Sequence, residues 1–132
     1  MNSLDSKLSK AIKKITSLDD FEKVKFIIQY GSSVEGMMTE DSDIDLAIYY
    51  DTNDDSCASR YRFKVISSLF DDIYDIQIFQ QLPLYVRTDA LKGKVIYCKD
   101  RNFLYEIARQ TMKDFNSFKH RYYDYIGEKC IA

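Results

Sequence analysis

Residues 30–50 read YGSSVEGMMTEDSDIDLAIYY, and the second half of this stretch decides the fold. Ile44, Leu46, Ile48 and Tyr50 alternate there with Asp43, Asp45, Ala47 and Tyr49. Successive side chains of a β-strand point to opposite faces. The alternation therefore predicts a strand over 43–50 whose apolar set packs into a core. The two carboxylates then emerge together at its start, ~6.6 Å apart along the strand. Like charges this close favour protonation unless a cation lies between them. A magnesium ion, which keeps waters and takes phosphate oxygens as further ligands, suits the pair.

Working outward, VKFIIQY over 24–30 is a short β-rich apolar run that reads as a buried strand ending at Gly31. A glycine permits close approach of backbone to phosphate, and the Ser32 hydroxyl with successive N–H groups makes an anion nest. On its own a Gly-Ser pair is an ordinary turn; its place just upstream of two paired carboxylates gives it a second meaning. Downstream, YDIQIF sets Asp75 and Gln77 on one face and Ile76 and Ile78 on the other. Taken alone, Asp75 reads equally well as an exposed strand-end carboxylate. If its strand adjoins the 43–50 strand, it becomes a third acidic ligand, and three such ligands can hold two metal ions about 4 Å apart.

The remaining pattern completes an α+β domain over residues 1–132. Apolar residues at helical spacing predict helices over 3–16, 60–70, 82–91 and 102–126, and β-rich runs predict strands over 73–79 and 94–98. The helix over 102–126 carries Phe103, Ile107, Met112, Phe115, Phe118, Tyr122 and Ile126 along one side. The expected architecture is a small mixed sheet of about four strands flanked by helices, with a long C-terminal helix. Asp51, Asp54 and Asp55 read as a solvated loop, with Cys57 in the same polar stretch.

Composition narrows the function. The 132 residues carry a formal net charge of −2, against a binder that neutralises nucleic-acid phosphates over a wide face. The charges are segregated: eight acidic residues and no lysine or arginine fall between Glu35 and Asp55. The three cysteines, Cys57, Cys98 and Cys130, lack CxxC spacing, so neither a disulfide framework nor a zinc site is expected. With no stretch of signal-peptide or membrane-spanning length, a cytoplasmic, membrane-free protein is the expectation. His120 is the only histidine, which leaves a histidine-based triad nothing to be built from, and no GxxxxGK[ST] sequence occurs.

The order Gly31-Ser32, ten residues from Ser33 to Ser42, then Asp43-Ile44-Asp45 resembles the signature of the nucleotidyltransferases that share a polymerase-beta-like palm. The likeness includes Gly36, the Asp41-Ser42 lead-in and the apolar residues after Asp45. Asp75 stands where that superfamily carries its third carboxylate. Nearly the whole chain, with LPLYVRTDALKGKVIYCKD and the helix containing FLYEIARQTMKDFNSFKHRYYDYI, looks like a minimal nucleotidyltransferase of the MNT type, the antitoxin of a HEPN ribonuclease toxin. Ser33 and Glu35 depart from the arginines that many members carry, so phosphate contacts ascribed to those arginines do not transfer.

The resemblance implies ATP as substrate, two Mg2+ ions on Asp43, Asp45 and Asp75, and nucleotide contacts at Gly31, Ser32 and Ser42. Asp75 would orient or deprotonate the attacking hydroxyl. The implied acceptor is a tyrosine of the HEPN toxin, which becomes modified with AMP. Two alternatives stand beside this: an antitoxin that neutralises by binding alone, through the tyrosine-rich tail at Tyr122, Tyr123 and Tyr125, and a transferase acting on a small molecule such as an aminoglycoside. Enzymes of the latter kind usually have an extra helical domain that closes over the acceptor, for which 132 residues leave no room unless dimerisation supplies it.

Overall fold

The computed structural model describes residues 3–31 and 43–131, and within them the side chains of all but 3–5, 123 and 125–131. Four strands, β1 (Val24–Tyr30), β2 (Ile44–Tyr50), β3 (Tyr74–Ile78) and β4 (Lys94–Cys98), form one sheet in the order β3-β2-β1-β4. β1 runs antiparallel to both β2 and β4, while β2 and β3 are parallel. Parallel neighbours need a crossover, and α2 (Asp55–Leu69) supplies it. The sheet is mixed, as the sequence predicts.

Each face of the sheet has its own core. The side of Ile44, Leu46 and Ile48 is covered by α2, through Ala58, Tyr61 and Val65, and by α1 (Ser3–Thr16), through Ala11 and Ile15. The side of Phe26, Ile28 and Ala47 is covered by α3 (Leu84–Leu91) and the start of α4 (Arg101–Ile131), through Ala90 and Leu104. Rings of Phe26, Tyr49, Phe79 and Phe103 pack there with centroids 5.0–6.5 Å apart. A strand buried on both faces reads as a continuous apolar run. This is why β1 shows no alternation and β2 shows it only at its acidic start.

Several element ends differ from the sequence reading. α2 begins at Asp55, not Arg60, because Asp54 caps it: its side chain accepts from Ser56 N at 2.9 Å. Cys57 therefore lies in a helical turn rather than in a loop. Phe79 leaves the sheet and opens a short 3-10 turn over 79–81. α4 continues past 126 to Ile131. Asp100 starts it by accepting from Asn102 N at 3.0 Å and Phe103 N at 3.3 Å. Among the described residues, no helix is long and apolar enough to cross a membrane.

Candidate active site

β2 and β3 fix the site through their register. Asp45 lies directly opposite Asp75 in the parallel pairing, and on its other side it faces Tyr30 at the end of β1. Just upstream, Ile44 N donates to Ile73 O at 2.7 Å, which ties the backbone next to Asp43 to the start of β3. Asp43 itself precedes the strand and is exposed, Asp45 is half-buried, and Asp75 is exposed. Gln77, two positions along β3, donates from Nε2 to Asp75 Oδ1 at 3.0 Å and steadies that carboxylate.

Among the described residues, burial and like charge dominate the electrostatics of the site. The Asp45 carboxyl is pushed up to about 6 by burial first, then by the charge of Asp75, a hydrogen bond shared with Asp75, and the charge of Asp43. All four act in one direction. The Tyr30 phenol is pushed up to about 12, again by burial first and then by Asp45, Asp75 and Asp89. Tyr30 was not singled out from sequence; its place immediately before Gly31 at the end of a strand was the available signal.

Gly31 is where the backbone meets this cluster. Its φ is +78°, and an added Cβ would collide with Asp45 Oδ2. The left-handed conformation is what favours glycine here, and a Cβ would also displace the Asp45 carboxylate. Asp45 and Asp75 thus come together beside Gly31, with Asp43 close enough for its charge to act on Asp45. The three carboxylates do not close into one ligand cluster, since among the described residues no three His, Cys, Asp or Glu side chains are grouped to hold an ion. Ser32 and Ser42 lie outside the described residues.

Known proteins share this fold. A Methanocaldococcus jannaschii protein, MJ1547, named as a candidate protein adenylyltransferase, is 34% identical over 76 residues, 57% of this chain and 57% of that one. This chain thus spans little more than half the length of that relative. A solved toxin–antitoxin pair with AMP-PNP contains a chain that superposes with a TM-score of 0.67 at 20% identity, covering 96% of this chain and 98% of that one. The MNT antitoxin bound to a tri-AMPylated Shewanella oneidensis HEPN toxin gives 0.67 at 20% identity, with 95% and 97% covered. At such identity these two likenesses establish the fold. The family described as polymerase beta, nucleotidyltransferase matches residues 10–102, which include β1, β2, β3 and the acidic pair, and the chain belongs to that family.

Proposed function

We propose that this chain is a magnesium-dependent adenylyltransferase that moves AMP from ATP to a tyrosine hydroxyl of a HEPN ribonuclease toxin, and so serves as that toxin's antitoxin. The observation that carries the reading is the Asp45–Asp75 pair, opposed in register and set close together beside Gly31. The choice of AMP and of a protein acceptor draws on the relatives described above: one bears the name of a protein adenylyltransferase, and another is bound to an AMPylated toxin. The reading puts the chain in the cytoplasm, where ATP is available.

The donor set fits a hard divalent cation. It is made of oxygen alone, and burial first, then the neighbouring negative charges, push the Asp45 carboxyl up to about 6. Magnesium typically takes one or two carboxylates and completes its shell with water and substrate phosphates, so Asp45 and Asp75, with Asp43 alongside, suffice on the protein's side. When bound, a pair of such ions neutralises charge at the attacking oxygen and at the departing pyrophosphate.

The chain's own residues supply position and proton transfer. Gly31, lacking a Cβ, lets the backbone approach the triphosphate, and Ser32 and Ser42 are assigned to its oxygens. Asp75, held by Gln77, orients the acceptor hydroxyl and takes its proton as the hydroxyl oxygen bonds the α-phosphorus. The α–β phosphoanhydride bond breaks at the same centre, and pyrophosphate leaves with the electron pair.

A specific observation favours binding as a second contribution. α4 is anchored by Leu104 and Thr111, but farther along it Phe118 and Tyr122 are 53% and 51% exposed, their rings stacked 6.3 Å apart. Aromatic side chains are enriched at protein interfaces. Incubating the chain with magnesium, ATP and the toxin, then weighing the intact toxin, tests the acceptor. AMP increments on the wild-type toxin and none on its tyrosine-to-phenylalanine variant are expected. An unmodified wild-type toxin, or equal AMP increments on the tyrosine-to-phenylalanine variant, would contradict the proposal.

A further inference from the structure

α2 covers the sheet with Ala58, Tyr61, Val65 and Leu69 and turns its opposite side to solvent. There Phe63, Ile66 and Phe70 are 71%, 37% and 90% exposed, with Ser59 exposed above them. Positions 59, 63, 66 and 70 step by three or four residues, so they form one stripe down α2 to its end. The two phenylalanine rings alone present on the order of 300 Å². A contiguous apolar patch of that size, rimmed by polar residues, marks an interaction site.

Phe70 provides an independent observation. It ends α2 at φ 55° and ψ 36°, a left-handed conformation that glycine usually fills. Its ring, almost wholly exposed, gains little from its own chain to offset the strain. A strained position that holds an apolar ring in solvent points to a surface supplied from outside the chain.

The edges of the sheet are guarded, so a second copy meets little there. Arg62 Nε donates to Ile76 O at 2.7 Å and takes up a carbonyl of edge strand β3. β4, the other edge, pairs irregularly with β1 and carries Lys94, with Lys99 just beyond it. Irregular pairing and lysines are devices that discourage edge-to-edge association.

The stripe, by contrast, is complementary to itself. Two copies of α2 laid antiparallel about a two-fold axis level with Lys64 and Val65 set Phe63 of each against Ile66 of the other. Phe70 then lies over Ser59 of the other copy, a large side chain on a small one. The same placement brings Asp71 and Asp72, just past Phe70, beside Arg60 of the other copy. Arg60 donates to Ser56 O and Cys57 Sγ and its charge reaches Asp54, but among the described residues it forms no salt bridge, and neither do Asp71 and Asp72.

We propose that this face of α2 is the interface of a reversible homodimer. A standard interface takes roughly 800 Å² from each partner. The apolar stripe supplies less than half of that and the polar rim the remainder, so the dimer is weak and dissociates on dilution. Asp45 alternates with the residues that α2 covers, which leaves both acidic pairs open in the dimer. This inference does not rest on the transferase reading.

Sedimentation equilibrium of the full chain, from low-micromolar to near-millimolar concentration, tests it. The average mass should rise from one chain toward two. Phe63→Gln and Phe70→Gly should each weaken association about tenfold or more, and Phe118→Gln, on α4, should leave it unchanged. Phe70→Gly also separates association from folding: in dilute solution its urea midpoint should rise while the dimer is lost. Arg60→Asp should weaken the dimer, and adding Asp72→Lys should restore it. A chain that stays monomeric throughout, or a dimer indifferent to both phenylalanine substitutions, would overturn the proposal. So would a monomer whose affinity for the toxin falls in Phe63→Gln, which would assign the stripe to the toxin.

Discussion

Asp45 and Asp75 stand opposite one another across the parallel β2–β3 pairing, their carboxyls close enough to share a proton when one of them is protonated, although thirty positions separate them in the chain. Neither strand creates this relationship alone; the register does. A one-residue slip of β3 would turn Asp75 to the face of Ile76 and dissolve the pair.

The acidic pair makes the metal-free protein sensitive to pH. Asp45 has its folded pKa raised from 3.8 to about 6, burial being the main cause and Asp75 the next. A carboxyl whose pKa is higher folded than unfolded takes up its proton preferentially in the folded state. The metal-free fold should therefore gain stability as pH falls from about 6 to about 4, and carry the full penalty above 6. Thermal melts in EDTA across this range should show that slope, and Asp45→Asn should flatten it. A slope unchanged in the variant would assign the titration elsewhere.

Gly31→Ala should damage both fold and site. The left-handed φ costs a residue with a Cβ about 1–2 kcal/mol, and the new methyl would collide with Asp45 Oδ2. A lower urea midpoint together with a loss of AMP transfer larger than the fraction unfolded is the expected result. Full activity at a lowered midpoint would show that the carboxylate moves aside without consequence.

Phe70→Gly should do the opposite. Phe70 ends α2 with φ 55° and ψ 36° and is 90% exposed, so it bears left-handed strain while burying almost nothing. Glycine is the usual residue at such a helix end. We expect a gain of about 1 kcal/mol, read from urea denaturation, and unchanged transfer. A destabilised variant would mean that the ring makes contacts that offset the strain.

Asp75→Asn should lower transfer while leaving the fold intact. Removal of a group that accepts the acceptor's proton costs roughly 10²–10⁴-fold in rate. Asp75 is exposed, so melting should change little. Single-turnover rates at saturating ATP distinguish this from weakened nucleotide binding. A variant that changes only the KM for ATP would make Asp75 a binding group.

Much of this was legible in the sequence, for local reasons. β1 and β4 have the predicted limits because short β-rich apolar runs bounded by Gly31 and Gly93 leave little choice. The apolar half of β2 announced its own buried face. The first turn of α2 was missed because Asp54, Asp55 and Ser56 suit a solvated loop as well as a capped helix start, and only the Ser56 N to Asp54 contact distinguishes them. The adjacency of Asp75 came from resemblance and not from spacing, since a parallel register is set by the crossover helix and the core beneath it. Tyr30 stands in the same stretch as Asp45, but its place opposite that carboxylate comes from the antiparallel β1–β2 register.

The central claim is that Asp43, Asp45 and Asp75 serve nucleotidyl transfer. Its most direct test follows label from ATP, carried at the α-phosphate in one reaction and at the γ-phosphate in another, with magnesium and the toxin present. The wild type should attach the α-label and release the γ-label as pyrophosphate, and the double variant Asp43→Asn, Asp45→Asn, with its melting transition preserved, should attach neither. Undiminished α-label transfer by that variant, or transfer of the γ-label by the wild type, would contradict it.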